Sequence, residues 1–430
     1  MASGEKMAGD KEKTEGMLAP YRVLDLTDEK GFICGQLLGS LGADVIQIEK
    51  PGGSSARNMG PFFHDIPDPE KSLFWFAFNT NKRGISLNIE TADGREILKR
   101  LVKTADAVIE SFAPGYMDKL GLGYPELEKI NRGIVMTSIT PFGQSGPYRD
   151  YKASDLVCWA MGGALFLGCS IDGRPPYAVS HIPQAFVDAG LDGACGTMLA
   201  LYWRRMSGEG QHIDVSAQQS VECDAPSSTA HAQLDEMPYR RHGSRYAVFP
   251  GRPNVPLDTW AVKDGYIVHR IFTGEFGAIQ NAPLIDWMSS EGMADEYLTG
   301  LDWNKFEWET ASTDEVKHLT DLYTRFFKSK TRAEVLEEAS RRRIMMQPVC
   351  TIKDVRQHPQ LEARGQWQEV AHLDLGASIT YPGGFGKMSA TACRIWRRAP
   401  LIGEHNIEVY HREMGFSREE MTNLKQAGVI

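Results

Sequence analysis

Nothing in the 430 residues approaches the run of roughly 18 apolar side chains that a membrane span requires. The opening "MASGEKMAGDKEKTEGM" is charged where a secretory signal has its apolar core, so a cytoplasmic protein is expected. The seven cysteines, Cys34, Cys158, Cys169, Cys195, Cys223, Cys350 and Cys393, include no CxxC pair, and the eleven histidines include no HExxH. Those gaps argue against a disulfide framework and a zinc centre, and no metal is expected. Positive charge is also short: 47 Lys and Arg against 56 Asp and Glu leave a net charge of −9, which gives nucleic acid and anionic membranes no overall attraction. Neither GxGxxG nor GxxxxGK[ST] stands between a strand and its helix, which removes the commonest dinucleotide and nucleoside-triphosphate fingerprints. A small anionic ligand held by local cations stays open.

What the chain does have is alternation. Residues 1–17 are polar and read as a disordered tail. "YRVLDLT" (Tyr21 to Thr27) then reads as a buried strand, "GFICGQLLGSLGA" as a helix, and "DVIQIEKPGG" (Asp44 to Gly53) as a second strand ending in a Pro-Gly loop. "RGISLNI" (Arg83 to Ile89), the helix Ala92 to Ala105 with Ile97, Leu98, Leu101 and Val102 at helical spacing, and "DAVIESF" continue the pattern. This predicts an α/β, Rossmann-like large domain with ligands beyond the carboxyl ends of its strands. Lys50, Lys82 and Arg83 fall at or beside those expected strand ends, where cations either pair with phosphate or stay solvated. From Ala225 the texture becomes turn-rich, and Lys263-Asp264-Gly265 marks a hairpin. The expected division is 18–224 for the first part of the large domain, 225–345 for a smaller inserted α+β domain, and 346–430 for the return.

Seven blocks occur in order: "RVLDLT…LLGSLGADVIQIEKPGG", "NTNKRGISLNIETADGREIL", "ADAVIESFAPGYMDKLGLGY", "TPFGQSGPYRD", "RRMSGEGQHIDVS", "HPQLEARG" and "APLIGEHNIEVY…AGVI". Together they resemble the class III CoA-transferases (CaiB/BaiF), from Tyr21 to Ile430. The resemblance implies an interlocked dimer, a coenzyme A thioester as substrate and no permanently bound cofactor. By position, its CoA contacts carry over to Ser111, Phe112, Tyr116 and Lys119 of "ESFAPGYMDKLG".

The resemblance also implies an aspartate that attacks the acyl-CoA thioester, giving a mixed anhydride and CoA thiolate, which returns through an aspartyl-CoA thioester. In the family that aspartate stands four residues before a helical glycine and twenty-one before the Ser of an "[ST]GxGQ" turn. Here those landmarks are Gly190 and Ser207, and both counts (190 − 4 and 207 − 21) land on Phe186. Asp188 would be turned about 200° away on a helix and reads as a first-turn acid favoured by the helix dipole. The racemase branch pairs a His with the same aspartate. Ser154 of "KASDLV" stands in the His position, so neither proton-transfer partner is present.

Two readings of different class follow. In one, the chain is a subunit of a heteromeric CoA-transferase, a heterodimer or heterotetramer in which a homologous partner supplies the aspartate. In the other it is a self-sufficient enzyme with a displaced acid such as Asp188, or a non-catalytic acyl-CoA-binding protein. Within the family, "YRVLDLTDEKG", "ARNMGPFFHDIPDPEKSLFWFAFNTNKRG" and "QAFVDAG" are most similar to heteromeric enzymes of anaerobic toluene degradation. Those move CoA from succinyl-CoA to (R)-benzylsuccinate. The aromatics between Pro61 and Phe78 could wall an aromatic acyl pocket or form plain core, and the cations of "RRHGSRY" (Arg240 to Tyr246) could meet a dicarboxylate.

Overall fold

The computed structural model describes residues 16–167, 182–223, 258–308 and 310–430, together with Gln233. Most of the expected tail, the start of the expected inserted domain, Cys169 and the Arg240 to Tyr246 cluster lie outside the described residues. Six strands carry the first unit: β1 (Arg22–Leu26), β2 (Asp44–Glu49), β3 (Lys82–Ser86), β4 (Ala107–Glu110), β5 (Val135–Thr140) and β6 (His212–Ser216). They form one parallel sheet in the order β3-β2-β1-β4-β5-β6. Every residue of β3, β4 and β5 is buried, as a parallel strand covered on both faces must be, the polar ones such as Lys82, Arg83, Thr137 and Ser138 included.

The helices in chain order are α1 (Phe32–Ser40), α2 (Leu73–Phe78), α3 (Ala92–Val102), α4 (Tyr116–Lys119), α5 (Tyr124–Ile130), α6 (Asp155–Met161), α7 (Ala164–Leu167, part of the second unit), α8 (Gln184–Ser207) and α9 (Ala217–Cys223). α3 begins where Thr91 accepts the Gly94 N–H at 3.0 Å, an N-cap, and it buries Ile97, Leu98, Leu101 and Val102 as its spacing predicts. α8 runs so close to its neighbours that glycine is required. A Cβ on Gly190 would come within 2.2 Å of Ile33 in α1, and one on Gly193 within 2.9 Å of Ile139 in β5. Gly208, in the left-handed region at φ 79°, ends α8.

The chain divides into two compact units, Met1–Gly162 with Ser180–Asp224 and Pro359–Ile430, and Gly163–Val179 with Ala225–His358. The second unit keeps the chain past the expected return at 346, because β9 (Met346–Pro348) pairs with β8 (Gly265–His269), itself the hairpin partner of β7 (Thr259–Val262). Its core is aromatic, built on Trp260, Trp287, Tyr323, Phe326 and Phe327. In the first unit the returning chain adds a two-stranded ribbon, β10 (Trp367–His372) with β11 (Ala377–Pro382), and buries its last residues, Val429 and Ile430, in the core beside α3. Among the described residues no helix is long and apolar enough to cross a membrane.

Candidate functional site

The strand order reverses between β1 and β4, and the chain leaves these neighbours for opposite sides of the sheet. Their carboxyl ends therefore open a crevice, the place where parallel α/β sheets bind ligands. A cavity of about 480 Å³ lies there, lined by Thr27, Asp28, Ile48, Lys50, Ser54 and Phe112 among others. Two local devices shape its walls. After β4, the Phe112 N–H donates to Glu110 Oε2 at 2.7 Å. Ser111 Oγ donates to Asp28 Oδ1 at 2.8 Å while accepting the Asp28 N–H at 2.9 Å. After β2, the buried Arg57 donates to both oxygens of Glu49 at 2.7 and 2.8 Å, and Glu49 also accepts the Ser54 N–H at 2.7 Å. That pair fixes the Pro-Gly loop carrying Lys50, and no local pattern in the sequence announces it.

Four of the expected residues come together on this edge, and a fifth, Lys119, follows on α4. The Phe112 and Tyr116 rings pack with centroids 4.8 Å apart. Lys50 Nζ and the Tyr116 hydroxyl both donate to Glu90 Oε1, at 2.8 and 2.9 Å. Ser111 sits behind Phe112, and Lys119 is exposed on α4.

The other two cations do not join them. Lys82 is completely buried, and its ammonium donates to Asp25, Gln47, Asn79 and the Phe32 carbonyl at 2.8–2.9 Å. Four acceptors surround three protons, so none is left for a phosphate. Burial pulls its pKa down and Asp25 pulls it up, with burial the larger effect. Arg83 starts near the amino end of β3, the wrong edge for the cavity. Its guanidinium is held by Asp44, Glu408 and Glu413 at 2.5–2.8 Å, which ties the returning chain to the sheet. The aromatics after Pro61 divide likewise: Trp75 and Phe76 are core, while Phe62 and Phe63 are half-buried.

α8 supplies the second part of the edge. Its far end is anchored at the amino ends of the strands, where Arg204 donates to Asp106 Oδ1 at 2.7 Å and to the Gly133 carbonyl at 3.2 Å. With 24 residues it is about 36 Å long, against roughly 20 Å for the strands, so its first turns reach the carboxyl edge and project beyond it.

Phe186 lies in the first of these turns, 6% exposed. Its N–H donates to Asp155 Oδ1 at 3.1 Å. Burial pushes the Asp155 carboxyl up, opposed by the amides of Phe186 and Ala185. Asp188 accepts from Gln184 Nε2 at 2.9 Å. The helix begins at Gln184 and has no acid in its first turn, so Asp188 is not the dipole-stabilising residue expected; Asp155 serves those amides instead. Asp155 lies 31 residues from Phe186, too far for any local pattern to join them. Its only signal is its place beside Ser154 in "KASDLV". No group of three or more His, Cys, Asp or Glu residues placed to hold a metal occurs among the described residues.

Comparison with known proteins places the chain in a family and a fold. The family model described as CoA-transferase family III matches residues 18–406. The chain is 34% identical over 411 residues to the succinyl-CoA:(R)-benzylsuccinate CoA-transferase subunit BbsE of Thauera aromatica, covering 95% of this chain and 97% of that one. It is 32% identical over 428 residues to a formyl-CoA:oxalate CoA-transferase of Streptomyces avermitilis, covering 96% and 99%. The succinyl-CoA–L-malate CoA-transferase beta subunit of Chloroflexus aurantiacus is 31% identical over 419 residues, with coverage of 96% and 98%. Among solved structures, a CaiB/BaiF family protein from Brucella suis superposes with a TM-score of 0.78 at 26% identity, covering 93% of this chain and 99% of that one.

Proposed function

Because the chain belongs to CoA-transferase family III, whose substrates are CoA thioesters, we propose that it is the CoA-holding, nucleophile-lacking subunit of a heteromeric CoA-transferase. The observation that carries this is Phe186, a buried ring in the register of the attacking aspartate, since an aromatic ring cannot open a thioester. The cavity between β1 and β4 takes CoA. Phe112 and Tyr116 stack on its adenine or pantetheine, Ser111 keeps their loop in place, and Lys50 and Lys119 meet phosphate. A homologous partner brings the aspartate. The partner surface is the apolar stripe on α8 formed by Leu199, Tyr202, Trp203 and Met206, each 49–69% exposed, more apolar area than a helix usually leaves in water.

Two of the relatives are themselves subunits by name, which favours the same arrangement here. The likeness to BbsE makes succinyl-CoA the donor and (R)-benzylsuccinate the acceptor of the proposed reaction, yielding benzylsuccinyl-CoA and succinate. The chain alone should transfer no CoA, and activity should appear when an aspartate-bearing homologue is added. Full activity from the chain alone would end this reading.

One observation favours a second reading, a self-sufficient enzyme with a displaced acid. Asp155 places a carboxylate within hydrogen-bond distance of the Phe186 backbone, close to where the family's side chain would emerge, which Asp188 does not. In that case Asp155→Asn, which keeps an acceptor for the Phe186 N–H, would fold normally and abolish activity of the chain alone.

A further inference from the structure

One acid at the rim of the cavity has no part in acyl transfer. Glu90 follows Ile89, a residue of the cavity wall, and its side chain is 51% exposed. A single carboxylate oxygen accepts from both Lys50 and Tyr116. Lys50 leaves the end of β2, Glu90 follows β3 and Tyr116 follows β4, so this oxygen joins three strand ends across the mouth. The Lys50 ammonium and the Tyr116 hydroxyl hold the Glu90 carboxyl below the usual carboxylate range. Burial and Glu90 together push the Tyr116 hydroxyl up to about 12, so the phenol is a proton donor at neutral pH. The rim groups best suited to a phosphate are thus already satisfied by a resident anion.

We infer that Glu90 is a phosphate-testing latch: a ligand enters fully only by replacing the Glu90 oxygen on Lys50 and Tyr116 with a phosphate oxygen. The exchange is one acceptor for another. A CoA phosphate, with more charge than a carboxylate, wins it, and the displaced Glu90 turns into the solvent it already half faces. An uncharged pantetheine arm cannot make the exchange and meets a closed rim. The latch therefore makes the site selective for phosphorylated thiols over their unphosphorylated fragments, at a cost in CoA affinity from the acid left near the phosphate. The inference rests on CoA occupying this cavity.

The test is calorimetric binding of CoA and of pantetheine to the full-length chain and to Glu90→Gln, Glu90→Lys and Lys50→Ala. An exposed acid a few ångström from a phosphate should weaken binding roughly three- to tenfold. Glu90→Gln should therefore bind CoA tighter by that factor and Glu90→Lys tighter still, and pantetheine, no longer met by a closed rim, should bind Glu90→Lys better than it binds the unsubstituted chain. Equal or weaker CoA binding by Glu90→Gln, with Lys50→Ala losing affinity, overturns the latch and leaves the CoA site standing. CoA binding indifferent to Lys50→Ala and also to Phe112→Ala removes the site from this cavity, and the latch with it.

Discussion

The turn after β4 and the first turn of α8 stand on the same edge of one sheet, yet they are built for different purposes. The β4 turn uses its buried groups to hold loops, Glu110 its own backbone and Ser111 the Asp28 loop after β1, while Phe112 and Tyr116 stay partly buried and Lys119 is exposed. The α8 turn buries Phe186 and draws its amide capping from Asp155, on another helix. In the proposed function, binding and bond-making would thus rest on separate elements of this fold. One can be kept while the other is handed to a second chain, without disturbing the sheet that positions both.

The same contrast, buried scaffold against outward-facing rim, can be attacked with the two lysines. Lys82→Met strips Asp25 of its only ion-pair partner among the described residues. Stranding a buried charge in this way should cost about 3–5 kcal/mol, read as a fall in the urea midpoint. Lys50→Ala, on a side chain 58% exposed, should move stability by no more than about 0.5 kcal/mol while weakening CoA binding. Equal costs for the two would erase the distinction between scaffold and rim.

A smaller effect sharpens it. Burial pushes the Glu110 carboxyl from its ordinary 4.5 up to about 7. The folded state therefore holds this proton more tightly than the unfolded chain. Its contribution to stability is complete below the unfolded value and is lost as pH rises through the folded one. Over that window the loss is on the order of 3 kcal/mol, and Glu110→Gln should remove it from a plot of unfolding free energy against pH. An unchanged slope in the variant would show that the loop after β4 does not depend on a protonated Glu110.

Local pattern revealed what local physics determines. The strand–helix alternation announced the parallel sheet, and the spacing of Ile97, Leu98, Leu101 and Val102 announced α3. Lys82 and Arg83 are not available as the phosphate cations the strand ends suggested, because what occupies a cation is decided far along the chain: Asp25 is 57 residues from Lys82, and Glu408 is 325 from Arg83. The Asp155 contact with Phe186 and the closing of the sheet edge by the returning C-terminal segment have the same character. Each requires the fold before it can be seen, whereas the expectation that Phe186 stands in the nucleophile register rests only on counting from Gly190 and Ser207.

The most direct measurement is to locate the acyl group. The chain and an aspartate-bearing homologue would be combined, exposed to succinyl-CoA, reduced with borohydride, and both chains mapped by mass spectrometry. A reduced aspartate on the homologue, with this chain unmodified, is the predicted result; modification of Asp155 or Asp188 in this chain would contradict the account.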